Sequence, residues 1–186
     1  MNTSFKWLVY EPGSIGYDAA MLLQERIVAA RQDHRLANDV LMLLEHQPVF
    51  TVGRRGGWAN LLVDEEMLRT RNIRLVSTVR GGDITYHGPG QLVGYLIMDM
   101  RYGRTDIRRL VENVEDVVIR AAADFGVTGV RDEKSRGVWV KGRKIASIGF
   151  AVSRGISFHG FAINANNDLA PFQWIHPCGL KDVAMT

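Results

Sequence analysis

Disulfide chemistry is excluded at the outset, because the chain holds one cysteine, Cys178, and offers it no partner. A lone thiol closes no internal bridge and holds no structural metal by itself. Apolar runs long enough to cross a bilayer, about 20 residues, are also missing. Residues Met1 to Trp7 lack the charged start and apolar core of a signal peptide. A reducing, cytoplasmic setting without a membrane partner is therefore expected. Neither sign of charge dominates: 23 Lys and Arg face 20 Asp and Glu, a net +3. The basic residues are scattered, with small clusters at Arg54-Arg55, Arg108-Arg109 and Lys141 to Lys144. That distribution argues against a nucleic-acid partner. It reads as a solvated surface, with an acidic protein partner as the other possibility.

Metal-site spacings are missing too. The 5 histidines are far apart, and no Cys-x-x-Cys or His-Glu-x-x-His pattern occurs. No Gly-x-Ser-x-Gly elbow supports a serine hydrolase. A pairing of Cys178 with His87, His159 or His176 would have to be made by the fold. Repeats, low-complexity tracts and linkers are absent, so the 186 residues are expected to form one domain spanning 1–186. Such a chain buries roughly 70% of its unfolded surface. The composition, 46% hydrophobic and 23% charged, is that of an ordinary globular protein.

The local patterns mix strands and helices. Phe5 to Tyr10 reads as a strand, Pro12-Gly13 as a turn, and Ser14 to Arg31 as a helix with Ala20, Leu23, Ile27 and Ala30 at helical spacing. Asp39 to Glu45 and Val49 to Val52 are strands separated by Pro48. Asp64 is placed to cap a short helix reaching Arg71. Arg74 to Thr78 and Leu92 to Met100 are extended. Thr105 or Asp106 opens a helix with Leu110, Val114, Val117, Val118, Ala121 and Phe125 on one face, ended by Gly126. Gly137 to Val140, Arg143 to Ser153 and Ile156 to Asn164 follow, joined by Lys141-Gly142 and Arg154-Gly155. Those short glycine turns predict an antiparallel meander. The fold class is α/β of the α+β-like kind: mostly antiparallel mixed sheets flanked by helices.

Three segments carry chemistry. His176-Pro177-Cys178-Gly179 sets the thiol between a fixed dihedral and a residue that permits close approach. That suits a displayed nucleophile, although most free cysteines are small buried hydrophobes. Arg80 to Gln91 holds four glycines within ten positions, with Arg80, Tyr86 and His87 among them. Such glycines either expose N–H groups to a ligand or serve a tight hairpin. It is neither a Walker loop nor a dinucleotide fingerprint. In the third segment, strand alternation puts Lys144, Ala146 and Ile148 on one face and Ser147 on the other. Lys144 there is either an exposed strand lysine or a partly desolvated base. His159-Gly160 reads as a structural histidine in a bend or as part of a site.

Taken together, Arg80 to Gln91, Lys144 to Gly149, His159 to Asn164 and Pro177-Cys178-Gly179 closely resemble the bacterial octanoyltransferases of lipoate biosynthesis, members of the lipoate–biotin protein ligase superfamily. Pro48 to Arg54 and Gly137-Val138-Trp139 extend the similarity over nearly the whole chain. The resemblance implies a lipoate/biotin ligase-like fold. It also implies transfer of an octanoyl group from acyl carrier protein to a lysine of a lipoyl domain, such as those of 2-oxoacid dehydrogenase E2 subunits and the glycine cleavage H protein. Cys178 matches the acyl-thioester nucleophile and Lys144 its partner. Arg80, Gly81, Gly82, Asp83, Ile84, Thr85, Tyr86, His87, Ser147, Ile148, Gly149, Gly160, Phe161 and Ala162 match substrate contacts. The phosphopantetheine of the carrier delivers the acyl group, so no cofactor and no ATP are implied. An ATP-dependent lipoate or biotin ligase and a non-catalytic binding module are the rival readings. Members of the family usually continue past the position of Thr186, so residues 1–186 are either the whole catalytic domain or that domain without a C-terminal segment.

Overall fold

The computed structural model describes residues 7–101, 105–132, 135–177 and 183–186. Nine strands alternate with three α-helices among them: β1 (Trp7–Ile15), α1 (Tyr17–Gln32), β2 (Asp39–His46), β3 (Val49–Val52), α2 (Glu65–Thr70), β4 (Arg74–Ser77), β5 (Ile84–His87), β6 (Gln91–Ile97), α3 (Ile107–Asp124), β7 (Val138–Val140), β8 (Arg143–Ser153) and β9 (Ile156–Asn164). Six strands form one sheet in the order β1-β2-β6-β9-β8-β7, and β4-β3-β5 form a second. Pairing is antiparallel except for β1 with β2 and β3 with β4. This is the mixed, mainly antiparallel architecture that the sequence predicts.

Period-two alternation sorts the large sheet into two faces. Val93, Tyr95 and Ile97 of β6 and Ala162 of β9 pack with Ala20 and Val28 of α1. Leu96, Phe161 and Ile163, one residue out of phase, pack with Leu110, Val114 and Val118 of α3. The small sheet has its own core, Phe50, Ile84, Tyr86 and Phe172, closed by Leu68 of α2. Two hairpins behave as read. Lys141-Gly142 and Arg154-Gly155 both adopt positive φ, 49° and 78° in the first and 46° and 80° in the second, the geometry that matches strand twist. Asp64 and Asp106 cap their helices, accepting from Met67 N and Arg109 N at 2.8 Å each.

Several boundaries differ from the sequence reading. Pro12-Gly13 is no turn between strand and helix; it lies inside β1, where the register against β2 shifts between Tyr10 and Gly13. Pairing continues to Ile15, so α1 begins at Tyr17 behind Gly16. Val117, Ala121 and Phe125 do not join the buried face of α3; all three are exposed, Phe125 at 86%. The stripe that packs is Leu110-Val114-Val118, and Phe125 already lies past the last helical turn. Glu115 is buried beside that stripe, accepting from Gly137 N at 2.9 Å and Arg131 Nε at 3.1 Å. It anchors the loop before β7. The glycine-rich segment also contains a strand not foreseen, β5, paired with β3 from Val52↔Ile84 to Val49↔His87.

Candidate active site

A cavity of about 430 Å³ lies between the glycine-rich loop and the face of β6, β9 and β8. The floor is built from two transverse rows of mostly small residues. Val93, Ala162 and Ser147 pair across one row; Tyr95, Gly160 and Gly149 pair across the next. Opposite the floor run residues Arg80 to Thr85 and His87. The loop touches the floor closely: Gly81 N donates to Phe150 O at 2.8 Å, and a Cβ on Gly149 would lie 2.6 Å from Gly81 O. A side chain at 149 would lift the roof.

Arg80 is buried, and its guanidinium grips β3: Nε donates to Thr51 Oγ1 at 3.1 Å and Nη2 to Thr51 O at 2.5 Å. Residues Arg54 and Arg55 donate their backbone N–H groups to Arg80 O and Gly82 O, both at 3.0 Å. Asp83 accepts from Asn60 Nδ2 at 2.8 Å and from Ile84 N at 2.6 Å. The loop is thus pinned on three sides rather than left open.

Lys144 forms one end of the cavity and is 1% exposed, so the solvated reading does not hold. Its Nζ donates to Ser135 Oγ at 3.0 Å and lies 5.5 Å from the Trp139 ring centre, a cation–π distance. Gly137 makes room for the stem, since a Cβ there would meet Lys144 Cε at 2.7 Å. Simple alternation had put Lys144 with Ala146 and away from Ser147. A β-bulge overturns this: Val138 pairs with Ala146, yet Trp139 pairs with Lys144. The extra residue on β8 reverses the phase, so Lys144 and Ser147 both line the cavity while Ala146 packs toward α3.

Two histidines line the cavity as neutral groups. Gln91 Nε2 donates to Asn164 Oδ1 at 2.9 Å, which aims Gln91 Oε1 at His87 Nδ1, 2.7 Å away. His87 is therefore protonated at Nδ1. Burial, reinforced by His46 and Arg80, pulls its pKa down to about 3. His159 is likewise held near 3 by burial and by Arg80. It occupies a left-handed conformation, φ 59°, within β9, where its N–H donates to Gln24 Oε1 at 2.8 Å.

Of the residues singled out from sequence, Arg80 to Thr85, His87, Lys144, Ser147 to Gly149 and Gly160 to Ala162 all border this cavity. Tyr86 does not; its ring packs against Phe50 and Phe172 in the core of the small sheet. Cys178 lies outside the described residues. Sequence reading missed Tyr17, Arg55, Val93, Tyr95, Ser135 and Arg136, which also line the cavity. Tyr95 and Val93 share the inward phase of a strand the pattern does reveal, but nothing local marks that phase as facing a cavity rather than a core. Among the described residues there is no group of three or more His, Cys, Asp or Glu able to hold a metal, and no helix long and apolar enough to cross a membrane.

The solved structures of a lipoate-protein ligase A bound with ATP (TM-score 0.73, 17% identity) and of the bipartite lipoate protein ligase of Thermoplasma acidophilum (TM-score 0.73, 18% identity) share the fold. They align with 97% and 92% of this chain and with 75% and 66% of their own. Sequence similarity is far stronger elsewhere. The octanoyltransferase of Desulfotalea psychrophila is 49% identical over 176 residues, and that of Caldicellulosiruptor bescii 48% over 176. Both matches span 94% of this chain, and 79% and 77% of those proteins. The lipoyl protein ligase A/B catalytic domain matches residues 16–186. A pinned glycine loop over a small-residue floor, with a buried lysine at one end, is thus the cavity of a chain that belongs to the lipoyl protein ligase A/B catalytic family, among its acyl-transferring octanoyltransferases.

Proposed function

We propose that this chain moves an octanoyl group from octanoyl-acyl carrier protein to a lysine of a lipoyl domain, through a thioester on Cys178. The observation that carries this reading is the buried Lys144 at the end of a small-residue slot, in a chain 49% identical to an octanoyltransferase. The segment just beyond Cys178 supports it. Ala184 and Thr186 hydrogen-bond the backbone of Lys144, so the chain returns to that lysine within a few residues of the thiol.

The Lys144 ammonium favours the thiolate of a cysteine brought beside it. The Cys178 thiolate attacks the thioester carbonyl of the donor, and the tetrahedral intermediate collapses with the phosphopantetheine thiolate as leaving group. Lys144 supplies the proton that this thiolate takes up. The acceptor lysine then attacks the Cys178 thioester as a neutral amine. The Cys178 thiolate leaves, and the proton shed by the amine returns to Lys144. One thioester replaces another in the first half and an amide replaces a thioester in the second, so no ATP is consumed. The floor of small residues takes the acyl chain, at about 0.8 kcal/mol per buried methylene.

Intact-mass spectrometry after mixing with octanoyl-acyl carrier protein tests the proposal. One octanoyl increment on Cys178, discharged by apo lipoyl domain and missing in Cys178→Ser, is the expected result. An adenylate formed from lipoate and labelled ATP, without any acyl adduct, would transfer the reading to the ligases that share the fold.

A further inference from the structure

The cavity has lining residues that the transfer chemistry does not use, Tyr95 among them. Lys144 stands in register with Trp139, one strand step beyond the pair Val138↔Ala146. Ala146 pairs with Ile163, and the floor rows follow at Ser147↔Ala162 and Gly149↔Gly160. Tyr95 pairs with Gly160 in that last row. Four register steps along the strands and two strand spacings across the sheet therefore separate Lys144 from Tyr95, roughly 13 Å in the first direction and about 10 Å in the second. Tyr95 is 4% exposed and borders the cavity.

The Tyr95 ring is held from behind. His46 Nδ1 lies 3.0 Å from Ile15 O, a contact only N–H···O can satisfy, which leaves His46 Nε2 as an acceptor. The Tyr95 hydroxyl donates to it at 2.7 Å. Burial lowers the pKa of His46, which keeps it in that accepting form. Around this pair stand Tyr17, 5.3 Å from His46 ring to ring, and His159, 6.0 Å from Tyr95. His46 does not line the cavity. The polar tip of Tyr95 is thus engaged by His46, outside the cavity lining, and an outward swing of its ring would break that bond.

We infer that Tyr95 is the specificity-determining residue for acyl length, its ring closing the slot, and that His46 is the positioning residue that fixes the ring. This rests on the acyl-transfer reading of the slot. Past the wall an additional methylene finds no place, so the gain of about fourfold in affinity that each buried methylene brings stops there.

Acylation rates of the full chain with S-acyl-N-acetylcysteamines of six to twelve carbons test this. Tyr95→Ala is expected to raise the twelve-to-eight-carbon rate ratio at least tenfold. Tyr95→Phe and His46→Ala, which keep the ring but release it, should raise that ratio by a few fold. Should Tyr95→Ala fail to fold, Tyr95→Leu is read in the same way. An acylated variant that keeps the wild-type ratio overturns the inference. Calorimetric titration with 1-hexanol, 1-octanol and 1-decanol separates it from the transfer chemistry. Wild-type affinity should climb to eight carbons and then level, while Tyr95→Ala continues to ten. That pattern without any acyl adduct would sink the transferase reading alone; acylation with an unchanged length profile in the variants would sink the wall alone.

Discussion

Lys144 and Ala184 are joined backbone to backbone: the lysine N–H donates to the alanine carbonyl at 2.8 Å. Thr186 N then donates to Lys144 O at 3.0 Å, forming a parallel bridge centred on Met185. Asn164 Nδ2 adds a bond to Thr186 O at 2.9 Å. Removal of residues 184–186 deletes all three. At about 1 kcal/mol each, unfolding free energy should fall by about 3 kcal/mol in denaturant titrations. The acylation rate should fall with it, because the β8 bulge that aims Lys144 loses its outer support. Unchanged acylation in the truncated chain would show that the bulge holds itself.

Replacement of Lys144 by alanine isolates its electrostatic part. A free thiol has a pKa near 8.5, so at pH 7 a cysteine deprived of a cationic neighbour is thiolate at only about 3%. Acylation of Lys144→Ala should be about thirtyfold slower than wild type at pH 7. The gap should narrow steadily toward pH 9 as the thiol ionises unaided. Stopped-flow acylation across that range provides the check, and a gap of constant size would deny Lys144 that role.

Stability should depend on the neutral histidines. His87 faces His46, Arg80 and His159, and His159 faces Arg80; both remain unprotonated in the fold down to about pH 3. In the unfolded chain they take up protons below about 6.5. Their contribution is therefore complete above pH 6.5 and is lost as pH falls toward 3. These two protons correspond to a slope of roughly 3 kcal/mol per pH unit in mid-window, and His46, also pushed down by burial, adds to it. Urea unfolding at pH 7, 6 and 5 measures it. In His87→Gln the slope should shrink by one proton's share, roughly 1.4 kcal/mol per pH unit; an identical slope would mean that this ring is protonated in the native state.

A buried ion pair fixes the α1 side of the large sheet. Arg31 Nη2 lies 2.8 Å from Asp39 Oδ1, with the two side chains 6% and 3% exposed. Asp39 Oδ1 also accepts from Asp99 N at 3.0 Å. Asp39→Ala leaves a buried guanidinium with its nearest counter-charge gone, a loss of about 3–5 kcal/mol. The double change Arg31→Leu with Asp39→Leu should recover much of it, as thermal unfolding will show. No recovery would assign the loss to the Asp99 amide rather than to the pair.

Much of this was legible in the chain. The two glycine turns, the two aspartate caps and the three-strand meander follow from local rules, because each depends on residues within a few positions. The motif segments also pointed to most of the cavity wall. Two kinds of feature stayed hidden. Tyr86 lies in the same motif as His87, yet strand alternation in β5 sends it to the opposite face. Lys144 and Ser147 appear on opposite faces until the β7 register reveals the bulge.

Local order along the chain named the groups available for chemistry: one thiol, one lysine on a short-turned strand, and a glycine-rich loop. Packing across the sheets buried that lysine, kept the histidines neutral and set Tyr95 against His46 in the cavity wall. Burial, register and desolvation are properties of contacts between distant strands. A residue's own neighbours set its backbone, and the partners across the sheet set its charge and what it can reach.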